Sequence, residues 1–127
     1  MALKYKVVEQ SEPGVKGGGA YQYYVRAAGR DRVSTERLAH LLAQKTALDA
    51  LSVKMVLLAL ADTIPDLLLD NCNVELGELG TFSVSLKSEA SATPEEANWR
   101  KIRDLKVNFR VGKKIKDRVK DARFVKL

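Results

Sequence analysis

Val74-Glu75-Leu76-Gly77-Glu78-Leu79-Gly80-Thr81-Phe82 carries the strongest architectural signal in this 127-residue chain. Val74-Glu75-Leu76 is a short strand, Gly77 and Gly80 flank a tight turn, and Phe82, Val84 and Leu86 alternate with Ser83, Ser85 and Lys87 in a second strand. On the C-terminal side, Leu105, Val107, Phe109 and Val111 alternate with Lys106, Asn108 and Arg110 in a third. The apolar residues of the last two strands are expected to face helices, leaving Lys106 and Arg110 on the open side. Between them, Thr93-Pro94-Glu95-Glu96 has the form of a helix start, with Thr93 as cap, Pro94 at the first position and Glu96 as capping-box partner. A last helix is expected from Gly112, with Ile115 and Val119 inward and five basic residues between Lys113 and Lys120 outward.

Upstream, Asn71 suits the left-handed residue that ends a helix. That helix is predicted from about Ala50 to Leu69, capped by Asp49 and kinked by Pro65. A shorter one precedes it, with Ser34 as cap and Leu38, Leu41 and Leu42 at helical spacing. Met55, Leu58 and Leu69 fall outside the main apolar stripe of the second helix, and a helix apolar on more than one side must be covered on more than one side. One copy supplies too little partner surface, so a second copy is expected to cover the rest. Lys4 to Val8 and Tyr21 to Ala27 are β-favouring, and Tyr21, Tyr23 and Val25 alternate as a half-buried strand would. Pro13-Gly14 and Gly17-Gly18-Gly19 lie between them, which predicts an N-terminal hairpin. The expected division is an N-terminal β extension, 1–33, and a main domain, 34–127.

Charge is unevenly spread. The last 29 residues carry twelve Lys or Arg against three acids, whereas residues 34–98 carry four against ten. Such concentration is an electrostatic footprint for a polyanion, because each neutralised phosphate releases counterions; a solvated basic helix and tail would have the same composition. Catalytic and metal chemistry have little to draw on. The one histidine, His40, lies in a helical stretch, the one cysteine, Cys72, sits between two asparagines, and no nucleophile is paired with a base. The Gly17–Gly19 run lacks the context of a phosphate loop. An enzyme, a cofactor and a small-molecule substrate are therefore not expected. A single cysteine fits a reducing compartment, no apolar run approaches the roughly 20 residues that span a bilayer, and no secretory leader is apparent, so a cytoplasmic protein with no membrane partner is expected.

These elements together resemble the bacterial HU/IHF histone-like family. Val74 to Phe82 is similar to that family's VEL-x-x-x-GTF strand and turn, Asp62-Thr63-Ile64 matches late in the second helix, and Arg110-Val111-Gly112-Lys113 resembles the K-P-G-K that opens its last helix, with Val111 replacing proline. The likeness covers about Thr35 to Lys120, roughly two-thirds of the chain; an added N-terminal segment looks like the enlarged HU-like proteins of Bacteroidetes-type bacteria. The resemblance implies an α+β fold: two helices under a three-stranded antiparallel sheet with a β-arm and a basic C-terminal helix, in an intertwined homodimer. It further implies a nucleoid protein that binds double-stranded DNA with little regard to sequence, through minor-groove arms and phosphate contacts.

Carried across, Arg110 and Lys113 match basic positions of the family. Lys87, Arg100, Lys101, Arg103 and Lys106 fall on the arm by placement, and Lys114 and Lys116 continue the basic helix. Pro94 stands near the offset of the family's arm-tip wedge, but Glu95 and Glu96 follow it, and helix capping explains it without DNA. Trp99 is either a base-stacking group or a plug for a core or interface. The acidic tip and the missing arm arginines also fit another class of function, a dimeric interaction or scaffold module that kept the fold and lost its grip on DNA. RNA binding would use the same charges.

Overall fold

The structure, a computed structural model, describes residues 2–11 and 19–127. Its elements in chain order are β1 (Leu3–Ser11), β2 (Tyr21–Ala27), α1 (Thr35–Ala43), α2 (Ala50–Leu69), β3 (Val74–Glu75), β4 (Gly80–Ser88), a single 3-10 turn (Trp99–Lys101), β5 (Ile102–Val111), α3 (Lys113–Val119) and β6 (Phe124–Lys126). They fall into two compact units. Thr35–Asp117 forms one; Met1–Ser34 and Arg118–Leu127 form the other. The composition is α+β with two three-stranded sheets.

In the larger unit, Asp49 starts α2. Its backbone is extended and its carboxylate accepts the Ser52 N–H at 2.6 Å, a bond that holds the carboxyl below its ordinary pKa. The helix runs through Pro65 and ends in a Schellman arrangement: Asn71 is left-handed at φ 62°, its N–H reaches the Leu68 carbonyl at 3.2 Å, and the Cys72 N–H reaches that of Leu67 at 3.1 Å. Where α1 meets α2, Ala39 and Val53 are buried, and Lys54 pairs with Glu36 at 2.5 Å. The antiparallel sheet has the order β3-β4-β5, with Phe82 opposite Phe109 at 4.6 Å between ring centroids. Ile64, Pro65 and Leu68 of α2 and Phe82, Val84 and Val107 of the sheet line an open apolar groove of about 720 Å³.

Ala39 and Val53 are the only buried apolar side chains among the described residues. Leu51, Met55 and Leu58 of α2 are 69%, 61% and 55% exposed, and Ile115 and Val119, expected inward, are exposed as well. A single copy leaves these side chains in water.

Between β4 and β5 the expected capped helix does not form. Thr93 to Ala97 makes two successive turns, Glu96 N–H to the Thr93 carbonyl and Ala97 N–H to that of Pro94, both at 3.2 Å, before the 3-10 turn. With only ten residues between the bulge at Lys87/Ser88 and Trp99, β4 and β5 constrain both ends, and there is no room for the several turns a helix needs to become stable.

In the smaller unit the sheet order is β2-β1-β6. β1 and β2 are antiparallel, as the hairpin reading expects, with Val7 opposite Val25; Pro13-Gly14, Gly17 and Gly18 lie outside the described residues. The whole of β2 is exposed, so the alternation of Tyr21, Tyr23 and Val25 does not mark a half-buried face within this unit. β6, which the sequence did not reveal, joins β1 in parallel with Leu3 opposite Phe124. This pairing puts the last ten residues with the N-terminal hairpin, whereas a division at residues 33 and 34 left them in the main domain.

Candidate nucleic-acid interface

The β4–β5 register sorts the hairpin into two faces. Phe82/Phe109, Val84/Val107 and Leu86/Leu105 share one; Thr81/Arg110, Ser83/Asn108, Ser85/Lys106 and Lys87/Asp104 share the other. Lys87, Lys106 and Arg110 therefore project from a single surface whose remaining residues are small or uncharged, apart from Asp104 beside Lys87. Lys106 and Arg110, four residues apart on one strand, are separated by about 13 Å along it. Between them the Asn108 side-chain amide donates to the Ser85 hydroxyl at 3.0 Å, bracing the two strands.

Two glycines set the end of this surface. Gly80, at φ 148°, begins β4, and a Cβ there would lie 2.3 Å from the Arg110 carbonyl oxygen. A Cβ on Gly112 would lie 2.0 Å from the Glu78 carbonyl oxygen. The turn of the VELGELGTF motif is thereby seated against the junction of β5 and α3, held by the Gly112 N–H on the Leu79 carbonyl at 2.8 Å. Arg110 and Lys113 flank that junction on either side. Lys113 and Lys116 are exposed, while Lys114 pairs with Glu78 of the turn at 3.2 Å.

At the far end of the hairpin the expected cations are differently placed. Arg103 is engaged by Glu89, and Lys101 is half-buried with its carbonyl accepting the Glu89 N–H at 2.9 Å. The Arg100 guanidinium lies over the Trp99 ring, 5.5 Å from its centroid, and Trp99 is 74% exposed. Trp99 therefore plugs no core within this copy. Pro94 is exposed in its turn with Glu95 and Glu96 beside it, also exposed. The structure thus gathers Lys87, Lys106 and Arg110 on one face and puts Lys113, Lys114 and Lys116 on α3, while Arg100, Lys101 and Arg103 cluster near the excursion. The Arg103–Glu89 and Lys114–Glu78 pairs went unseen in the sequence, since both depend on which residues the strand register and the motif turn bring together. Among the described residues there is no group of three or more His, Cys, Asp or Glu able to hold a metal, and no helix long and apolar enough to cross a membrane.

Residues 1–126 match the family model described as an HU domain fused to wHTH, Ig or glycine-rich motif, HU-HIG. The chain belongs to the HU-HIG family. Of solved structures, one to which this HU-HIG chain is similar is a candidate bacterial DNA-binding protein from Bacteroides vulgatus ATCC 8482, with a TM-score of 0.66 at 12% identity. The alignment takes in 99% of this chain and 48% of that one, so the chain spans about half the length of its structural relative. A search of the curated proteins finds no significant match. The family model includes the N-terminal strands, which the HU/IHF resemblance had left outside.

Proposed function

We propose that this chain is a homodimeric, sequence-tolerant DNA-binding protein of architectural type, acting on the bacterial nucleoid in the cytoplasm, with no catalytic role. The observation that carries this reading is the cationic surface: Lys106 and Arg110 on the open face of the hairpin, continued by the exposed Lys113 and Lys116 of α3. Side chains of this kind neutralise phosphates and carry no base code, so affinity follows charge and not sequence. Lys87 and Arg100 extend the contact along the hairpin, while Lys101, Arg103 and Lys114 contribute less because burial or an acid already engages them. Pro94 is the family-type wedge candidate, but the carboxylates beside it oppose close approach to phosphate. Trp99 with Arg100 is the better-placed stacking group. Membership of an HU family and the description of the structural relative both support the reading.

The dimer rests on the apolar surface that one copy leaves open. Leu51, Met55 and Leu58 together with the groove between α2 and the sheet form an expanse that a second copy of the same helices fits. In sedimentation equilibrium the chain is expected at twice its 14.1 kDa mass. That dimer is expected to bind two unrelated duplexes with affinities within about threefold of each other, since phosphate contacts are blind to sequence. A monomer, or a strong preference for one duplex, would contradict the reading. Dimerisation without duplex affinity would instead favour a scaffold module, which the acidic residues at Glu89, Glu95 and Glu96 also suit; better binding to RNA in competition would move the assignment there.

A further inference from the structure

The net charge of the chain does not reside in the unit that carries the family motif. Thr35–Asp117 holds twelve basic and twelve acidic residues, whereas Met1–Ser34 with Arg118–Leu127 holds ten basic and four acidic. The whole excess of +6 therefore belongs to the smaller unit formed from the two ends of the chain, and its sheet carries Lys4, Lys6, Arg26 and Lys126 against Glu9. The register of that sheet sorts its side chains. Leu3, Tyr5, Val7 and Glu9 share one face with Tyr23, Val25, Phe124 and Lys126; Lys4, Lys6 and Val8 share the other with Tyr24, Arg26 and Val125. On this second face Lys6 stands directly opposite Arg26, with Lys4 two residues along. All three are exposed, and the ion pairs of the described residues lie elsewhere. Among the described residues the face has no carboxylate side chain: Glu9 is on the other side, and Asp31 and Asp121 lie outside the strands.

Like charges placed directly across two strands destabilise a sheet, and no ion pair among the described residues offsets the Lys6–Arg26 opposition. An external polyanion does. We propose that the Lys4, Lys6, Arg26 face of the terminal sheet is a second nucleic-acid surface, one that binds the phosphate backbone of the same DNA-class ligand as the hairpin of the larger unit. Tyr24, two residues from Arg26 on that face and 41% exposed, donates its hydroxyl to Gln22 Oε1 at 2.5 Å and supplies a ring for sugar or base contact. The proposal builds on the DNA-binding reading but concerns different residues, so the two can fail separately.

The test uses the full chain with Lys4, Lys6 and Arg26 all changed to Gln. Each lost phosphate contact lowers the log–log salt slope by about 0.9, so the slope for duplex DNA is expected to fall by at least about 2, with affinity at 0.1 M salt down tenfold or more. Lys126→Gln, which removes one charge from the opposite face, leaves the slope unchanged. Melting temperature is expected to hold or rise in the triple variant because the Lys6–Arg26 repulsion is gone, which separates lost contact from lost fold. An unchanged slope in the triple variant, beside a wild-type chain that binds duplex, overturns the proposal and spares the DNA-binding reading. A wild-type chain without duplex affinity overturns both. Binding to anionic phosphatidylserine vesicles that depends on the three cations, with duplex affinity intact, assigns the face to a lipid surface and overturns it as well.

Discussion

Gly112→Ala is expected to abolish the fold of the 35–117 unit or to destabilise it by more than about 3 kcal/mol, because the new methyl meets backbone that has nowhere to go. Its Cβ would sit 2.0 Å from the Glu78 carbonyl oxygen and 2.8 Å from the Glu78 carbonyl carbon. Relief requires the motif turn to leave the β5–α3 junction, breaking the Gly112 N–H bond to Leu79 and displacing the strand end that carries Arg110. Gly77→Ala is the matched control. Unlike Gly112, that residue is left-handed, at φ 58°, but a Cβ there meets nothing within 4 Å, so its cost is the backbone strain alone, about 1–2 kcal/mol. Thermal unfolding followed by circular dichroism compares the two. Equal melting temperatures for both variants would show that the turn is not seated where the structure has it.

Arg110→Glu with Lys113→Glu is expected to weaken duplex binding at least a hundredfold near 0.1 M salt, equally for unrelated sequences. Each phosphate contact contributes a salt slope of about 0.9, which is worth about tenfold at that concentration, and reversal adds repulsion to the loss. Both residues flank the junction, with Thr81 opposite Arg110 and no acid at that register position, so reversal disturbs no ion pair. The variant is therefore expected to fold and dimerise as the wild type does. Gel-shift titration beside sedimentation checks this; unchanged affinity in a folded dimer would remove the two residues from the interface.

The parts of this fold that were legible in the sequence are those fixed locally. Asp49 caps a helix through a bond three residues away, Asn71 ends it through its own backbone angle, and the alternation from Phe82 to Leu86 and from Leu105 to Val111 gives the two long strands and the side on which Lys106 and Arg110 stand. The parts that were not legible depend on distant pairing. β6 has three residues, too few for a period, and its partner β1 lies at the other end of the chain. The charge of the terminal unit was hidden for the same reason, since counting along the sequence credited Arg118, Arg123 and Lys126 to the basic last third. Thr93-Pro94-Glu95-Glu96 misled because a good local helix start was placed where the hairpin leaves no length for a helix. At the interface, the face carrying the cations could be deduced but their partners could not. Glu89 and Glu78 reach Arg103 and Lys114 through the hairpin register and the motif turn.

The salt dependence of duplex affinity tests most directly whether this chain binds nucleic acid through phosphates. A fluorescence-anisotropy titration of the wild-type dimer between about 50 and 300 mM salt should give a linear log–log plot with a slope of several units, near −0.9 for each phosphate neutralised. A flat plot, or no measurable binding at the lowest salt, would mean that the exposed lysines and arginines of β5 and α3 do not meet DNA.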